Sequence, residues 1–208
     1  MTELLARIRA EGPLRSRDVE SGAAKRAGWW DWKPAKKALE QLYMQGDLMV
    51  SDREGFQKTY DLTERVLPSH INTQMPGVAE QAEHLVNQQL RCHGVASLKG
   101  LTYLRRDPAL RKAVKDLVIE RLAQHEMEQV RLGNGDIFLI ESGALERSTP
   151  RVKNRLVILS PFDNCVIQRD RLRSLFQYDY QIECYVPAVK RQYGYFCLPL
   201  LYRDKFIG

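Results

Sequence analysis

Cysteine is scarce in this chain, and long apolar runs are absent. Four cysteines (Cys92, Cys165, Cys184 and Cys197) are scattered over 208 residues without a CxxC pair. That excludes a disulfide-built scaffold and fits reduced thiols in a cytoplasmic protein. No run approaches the roughly 18 apolar residues of a membrane helix, and the N-terminus lacks a signal-peptide apolar core. No membrane partner is therefore expected. The four histidines are His70, His84, His93 and His125, and none lies four residues from another. A zinc site would need convergent ligands at recognisable spacing. G-x-S-x-G, Walker A and dinucleotide fingerprints are also missing, so neither a metal nor a cofactor is expected.

What is present is ordinary globular composition with a basic excess. Hydrophobic residues make up 44% and charged residues 28%, which argues against disorder. The formal charge is +6 and the pI about 9.2, a hint of a polyanionic partner. The excess is unevenly placed. Residues 1–66 hold 12 bases and 11 acids, residues 67–144 hold 9 of each, and residues 145–208 hold 11 and 6. In the first two segments a nucleic-acid surface must come from local clusters.

The first segment, 1–66, reads as three helices and a hairpin. Leu4, Leu5 and Ile8 form an apolar stripe that ends before Gly12-Pro13. A short helix is expected over 16–24, capped by Ser16. A third starts at Pro34, where the missing N–H costs nothing, and carries Ala35, Ala38, Leu39 and Leu42 up to Gly46. Strands are expected at 48–51 and 56–62, around a turn at Arg53-Glu54-Gly55. Three helices and a hairpin in that order describe a winged helix.

The second segment, 67–144, repeats the order. Val78, Ala82, Leu85 and Val86 mark a helix stopping near Gly94. Ser97 caps a short one with Leu98, Leu101 and Leu104. Asp107-Pro108 opens a longer one with Leu110, Val114, Leu117 and Leu122. Strands at 127–132 and 136–141 flank Gly133-Asn134-Gly135. Gly12 and Gly94 hold equivalent places, so the order recurs 82 residues on.

The third segment, 145–208, holds 10 of the 18 aromatic residues. Strands are expected at 156–159, 180–186 and 193–201, with one or two helical turns over 169–176. The fold class expected is thus α+β: two tandem winged helices followed by a partial, β-rich, barrel-like domain. The chain stops just as another strand should begin, which suggests a fragment of something longer.

All three tryptophans lie in Trp29-Trp30-Asp31-Trp32, at the entry to the third helix. Large aromatics are mostly core or interface, and packing is the reading favoured here. Lys33 and Lys37 share a helix face, with Lys36 beside them and Gln41 one turn on. Those residue types suit phosphate and base-edge contact, and equally a solvated face. Arg53 and Lys58 on the hairpin could touch phosphates, although Asp52 and Glu54 flank Arg53. In the last third Arg151, Lys153 and Arg155 alternate, as do Arg169, Arg171 and Arg173, which on strand-like segments would point to one face. Lys190-Arg191 adds two charges. A solubilising surface is the plainer alternative.

Several stretches carry a family resemblance: GWWDWKPAKKALEQLYMQGDLMV (28–50), GFQKTYDLTERVLP (55–68), LSPFDN (159–164) and YVPAVKRQYGYFCLP (185–199). They resemble the bacterial tandem winged-helix DNA glycosylases of the YcaQ/AlkZ type. The resemblance implies tandem winged helices before a C-terminal β-domain, in a cytoplasmic, nucleoid-associated protein. It implies double-stranded DNA as partner, and release of N7-alkylated guanine or unhooking of interstrand crosslinks. In that family the catalytic motif is Gln, an apolar residue, then Asp or Gln, in an N-terminal winged helix upstream of the matched region. Gln177-Tyr178-Asp179 fits it as a string but falls in the C-terminal segment, and a pattern this loose is weak. No catalytic residue is therefore assigned. An N7-alkylated purine is already cationic and leaves readily, so a Gln and a carboxylate that place a water suffice. The alternatives are a non-enzymatic winged-helix DNA-binding regulator, or winged helices that contact protein alone.

Overall fold

The computed structural model describes residues 1–19 and 34–208. They form two compact units, Met1–Gln74 and Met75–Gly208. Both are mixed α+β, built around small antiparallel sheets.

In the first unit, helix α1 spans Thr2–Glu11 and buries Leu4 and Ile8, one turn apart on one face. Gly12 ends it at φ 95°, its N–H donating to the Ile8 carbonyl. A two-residue strand β1, Leu14–Arg15, leads into a 3-10 turn at Ser16–Val19. Only this turn of the helix expected over 16–24 falls among the described residues, with Ser16 as its first residue. Helix α2, Pro34–Gln45, buries Leu39 and Leu42. It closes in a Schellman arrangement: the Asp47 N–H donates to Leu42 and the Gly46 N–H to Tyr43, with Gly46 at φ 88°.

The hairpin that follows is β2, Leu48–Glu54, and β3, Gln57–Leu62. Its turn is Gly55-Phe56 rather than the expected Arg53-Glu54-Gly55. Gly55 takes φ 58°, as a two-residue turn demands of its first member. Arg53 and Glu54 consequently sit in the ladder, opposite Lys58 and Gln57. The sheet order is β1-β3-β2, and helix α3, Thr63–Val66, follows it. The core joins Leu4, Ile8, Leu14, Leu39, Leu42, Leu48, Tyr60 and Leu62. Each such side chain contributes about 1.5–3 kcal/mol when removed from water.

In the second unit, α4 spans Val78–His93 and α6 spans Pro108–Ala123, with the single turn α5, Leu98–Leu101, between them. The expected caps form. The Ser97 hydroxyl accepts the Gly100 N–H at 3.0 Å, and the Asp107 carboxylate accepts the Ala109 N–H at 2.9 Å. Leu104, expected on the short helix, lies beyond it at φ 60° and is 81% exposed. Leu85, Val86 and Leu90 of α4 pack with Leu110, Val114 and Val118 of α6. Strands β4, Met127–Arg131, and β5, Ile137–Glu141, form the second hairpin. Ala96 pairs with Leu139 through two backbone hydrogen bonds, 3.0 and 2.8 Å. Ala96 lies 82 residues after Leu14, which pairs with β3 in the first unit. The repeated order thus extends to the third strand position.

Residues 145–208 belong to the same compact unit. They hold β6 (Leu156–Ile158), helix α7 (Arg169–Phe176), β7 (Leu200–Tyr202) and β8 (Lys205–Phe206), with sheet order β6-β7-β8. The expected strand at 180–186 is not formed, and of that expected at 193–201 only Leu200 and Leu201 enter a strand, so this segment is less β-rich than its composition suggested. The reason is Glu183. Its carboxylate accepts the N–H groups of Gln192, Tyr193 and Gly194 at 2.8, 2.8 and 3.0 Å, donors a ladder would otherwise use. These three bonds hold the Glu183 carboxyl below the usual range. Packing against α4 and α5 runs through Gln168, whose amide donates to Gln89 at 3.0 Å and to the Gly100 carbonyl at 3.3 Å. A Cβ at Gly100 would come within 2.8 Å of Gln168 Oε1, so a larger residue there would displace the Gln168 amide.

Candidate nucleic-acid interface

Helix α2 turns Leu39 and Leu42 inward and leaves Lys36, Lys37 and Gln41 exposed. Lys33 and the three tryptophans lie outside the described residues. Lys36 also interacts with Glu40, one turn on. Lys37 has no acidic partner among the described residues.

The hairpin's two cations differ. Arg53 is exposed and unpaired among the described residues. Lys58, expected at phosphate, is committed inside the fold. Its ammonium donates to both Glu40 oxygens, at 3.0 and 3.2 Å, and lies 5.3 Å from the Tyr43 ring centroid. The Tyr60 hydroxyl donates to the same carboxylate at 2.9 Å. Burial works against the Glu40 charge, but the bonds from Lys58 and Tyr60 outweigh it and keep the carboxyl below its ordinary range. Burial and the adjacent carboxylate push the Tyr60 hydroxyl up. The trio ties β3 to α2, and so fixes the hairpin against the helix.

The basic residues of the last third need more correction. Arg169, Arg171 and Arg173 stand on a helix, where alternate residues do not share a face. Arg169 donates to the carbonyls of Val166 and Pro161, at 2.5 and 2.9 Å, and lies over the Tyr180 ring. Arg171 is buried and donates to the Asn164 carbonyl. Arg173 pairs with Asp179 at 2.8 Å. Arg191 donates to the carbonyls of Glu183 and Val186, at 3.2 and 2.9 Å, and stacks on Tyr195. Arg169, Arg171 and Arg191 are thus committed to carbonyl acceptors within the fold, whereas Arg173 is exposed and engaged in a surface ion pair. Arg155 and Lys190 are exposed, without acidic partners among the described residues.

Gln177-Tyr178-Asp179 is likewise structural. Gln177 ends α7 in the left-handed region, Tyr178 stacks on Phe206 at 4.7 Å between centroids, and Asp179 holds Arg173. Among the described residues no group of three His, Cys, Asp or Glu side chains could hold a metal ion, and no helix is long and apolar enough to cross a membrane. His93 is packed beside Gln168 and Arg171; burial, then the arginine charge, push its pKa below the ordinary value.

A family model described as DNA glycosylase AlkZ-like matches residues 1–208. The chain belongs to this family. It is similar to a solved structure, Streptomyces sahachiroi DNA glycosylase AlkZ, with 18% identity and a TM-score of 0.53. The match covers 100% of this chain and 50% of the other, so the chain spans about half the length of that relative. At this identity the likeness shows a shared fold. For this AlkZ-like chain, sequence reasoning also missed four exposed cations around the start of α6: Arg105, Arg106, Arg111 and Lys115. Their signal was present, two arginines just before a Pro-initiated helix, but the zero net charge of 67–144 hid it.

Proposed function

We propose that the chain is the DNA-binding portion of a repair glycosylase that acts on alkylated or crosslinked duplex DNA. The observation that carries this reading is the AlkZ-like family match over residues 1–208. Both helix–hairpin modules are read as winged helices, with α2 and α6 as the helices that approach DNA. On the first module the contact is assigned to Lys36, Lys37 and Gln41 of α2 and to Arg53 of the hairpin, with Lys33 at the helix entry. Arg155 and Lys190 are the remaining candidates in the last third. The hydrolytic step is N-glycosidic cleavage at N7-alkylguanine. The Gln and carboxylate that place its water are proposed to lie outside this chain. In support, Gln177-Tyr178-Asp179 is occupied by a helix end, a ring stack and an ion pair.

Two measurements test this reading. Duplex affinity is titrated against salt and between undamaged, N7-methylguanine-containing and random-sequence DNA. Salt-dependent binding that favours damage over sequence is expected. Discrimination of one undamaged sequence by several kcal/mol would instead favour a regulator. Base release is assayed in parallel, and release of N7-methylguanine by this chain alone would overturn the placement of the catalytic pair.

A further inference from the structure

The region from α4 to β5 carries nine bases and nine acids, yet the structure uses the two signs differently. Most of the acids are occupied. Glu80 accepts the Gly77 N–H at 2.7 Å and Asp107 caps α6. Glu83 and Glu126 flank Arg121 at 3.4 and 3.8 Å, and Asp116 holds Lys112 at 2.5 Å. Glu128 accepts from Ser142 and Gly143, Asp136 from Asn134, and Glu141 from Arg147. Arg105, Arg106, Arg111 and Lys115 are exposed, and no acid holds them among the described residues. Four unneutralised cations therefore fall within residues 105–115 of a region whose net charge is zero.

We propose that this stretch is a second duplex-DNA contact, in which Arg105, Arg106, Arg111 and Lys115 neutralise backbone phosphates. The inference rests on the DNA-binding reading above and extends it to the second module. Arg111 and Lys115 stand one helical turn apart, a rise of about 5.4–6 Å. Duplex DNA presents a charge roughly every 3.4 Å of axis per strand, so the pair is spaced to reach two phosphates within about two steps of one strand. Leu110, Val114 and Val118 seat α6 in the core, and Arg111 and Lys115 border that packed face, so these two cations are presented from a rigid element. A protein partner fits less well. The centre of a protein interface is depleted of charge, whereas this stretch gathers four charges of one sign.

The test is duplex binding by fluorescence anisotropy across a salt series. It compares the wild-type chain, Arg111→Ala/Lys115→Ala, Arg105→Ala/Arg106→Ala and, for the first module, Lys37→Ala/Arg53→Ala. Each α6-side pair is expected to weaken binding at low salt and to flatten the slope of log K against log salt by about 1.8, two contacts at about 0.9 each. Circular dichroism and urea midpoints should stay at wild-type values, since the replaced groups have no partners in the fold. Wild-type slope and affinity in both α6-side pairs, with the Lys37/Arg53 variant weakened, would overturn this inference alone. Absence of salt-dependent duplex binding in the wild-type chain would overturn it together with the DNA-binding reading.

Discussion

The two helix–hairpin modules follow one element order and secure it differently. In the first, a lysine ties the hairpin to the helix: Lys58 and the Tyr60 hydroxyl meet on Glu40. In the second, an arginine ties helix to helix. Arg121, with its side chain 14% exposed, reaches Asn87 and Glu83 on α4 and Glu126 before β4. Each module thus commits some cations to its own architecture, Lys58 and Arg65 in the first and Arg121 in the second among them, and leaves others open, Lys37 and Arg53 in the first and Arg105, Arg106, Arg111 and Lys115 in the second. Counting charges cannot separate the two uses. Only the partner of each charge does.

The largest expected effect comes from the cores, which are alike in kind. Leu39→Ala in the first module and Leu101→Ala in the second each empty a fully buried site. Each should lower stability by about 2–5 kcal/mol. Amide exchange should show the loss confined to Met1–Gln74 for the former and to Met75–Gly208 for the latter. Equal loss of protection in both units from either variant would break the description of two compact units.

The hairpin tie comes next. Glu40→Ala strips the acceptor from both Lys58 and Tyr60, and hydrogen bonds to charged groups contribute about 1.5–3 kcal/mol. Urea unfolding should register a loss near the lower bound, because the ion pair is partly solvated. Lys58→Met, which keeps the stem, should lose less. If Glu40→Ala is neutral, the hairpin is held by its apolar contacts alone. A smaller effect, about 1 kcal/mol, is expected from Asp107→Ala, which removes the N-cap of α6. Asp107→Ser should restore most of the urea midpoint, and failure of that rescue would count against capping as its role.

Particular residues show how far such features could be read from sequence. The helices of both modules were legible because Leu39 and Leu42, or Leu110 and Val114, recur at helical spacing, and because Gly46, Gly94, Ser97 and Asp107 punctuate them. The third segment was legible only in part: the strand at 156–159 and the helical turns over 169–176 were read, and the strands expected after them were not formed as read. Its Tyr, Ile, Cys and Val residues have strand propensity, but Glu183 draws three backbone donors away from a ladder, and nothing local in the sequence announces that long-range choice. The candidate site suffered from a similar blindness. Arg169, Arg171, Arg173 and Arg191 look like open charge until their carbonyl and carboxylate acceptors are seen. The α6 cations look balanced until the acids beside them are found capping and pairing.

The smallest expected effect is a pH dependence confined to the second unit. His93 is packed where α4 meets the segment before α7, with Gln168 Nε2 3.4 Å from its Nε2, Arg171 facing it and Gln89 bound to the same Gln168 amide. Burial and the Arg171 charge favour the neutral ring, so its folded pKa lies below the unfolded value of about 6.5. Between those two values the unfolded chain binds more protons, and stability rises with pH. The contribution is complete above about pH 6.5 and is lost as pH falls through the folded pKa. The carboxylates with depressed pKa values, Glu40, Glu128, Asp170 and Glu183, act in a more acidic window. A fall in the urea midpoint between pH 7.5 and 5.5 therefore isolates the histidine. His93→Gln should flatten it, while exchange in Met1–Gln74 stays independent of the substitution. A slope that survives His93→Gln would assign the titration to another group and remove this difference between the two units.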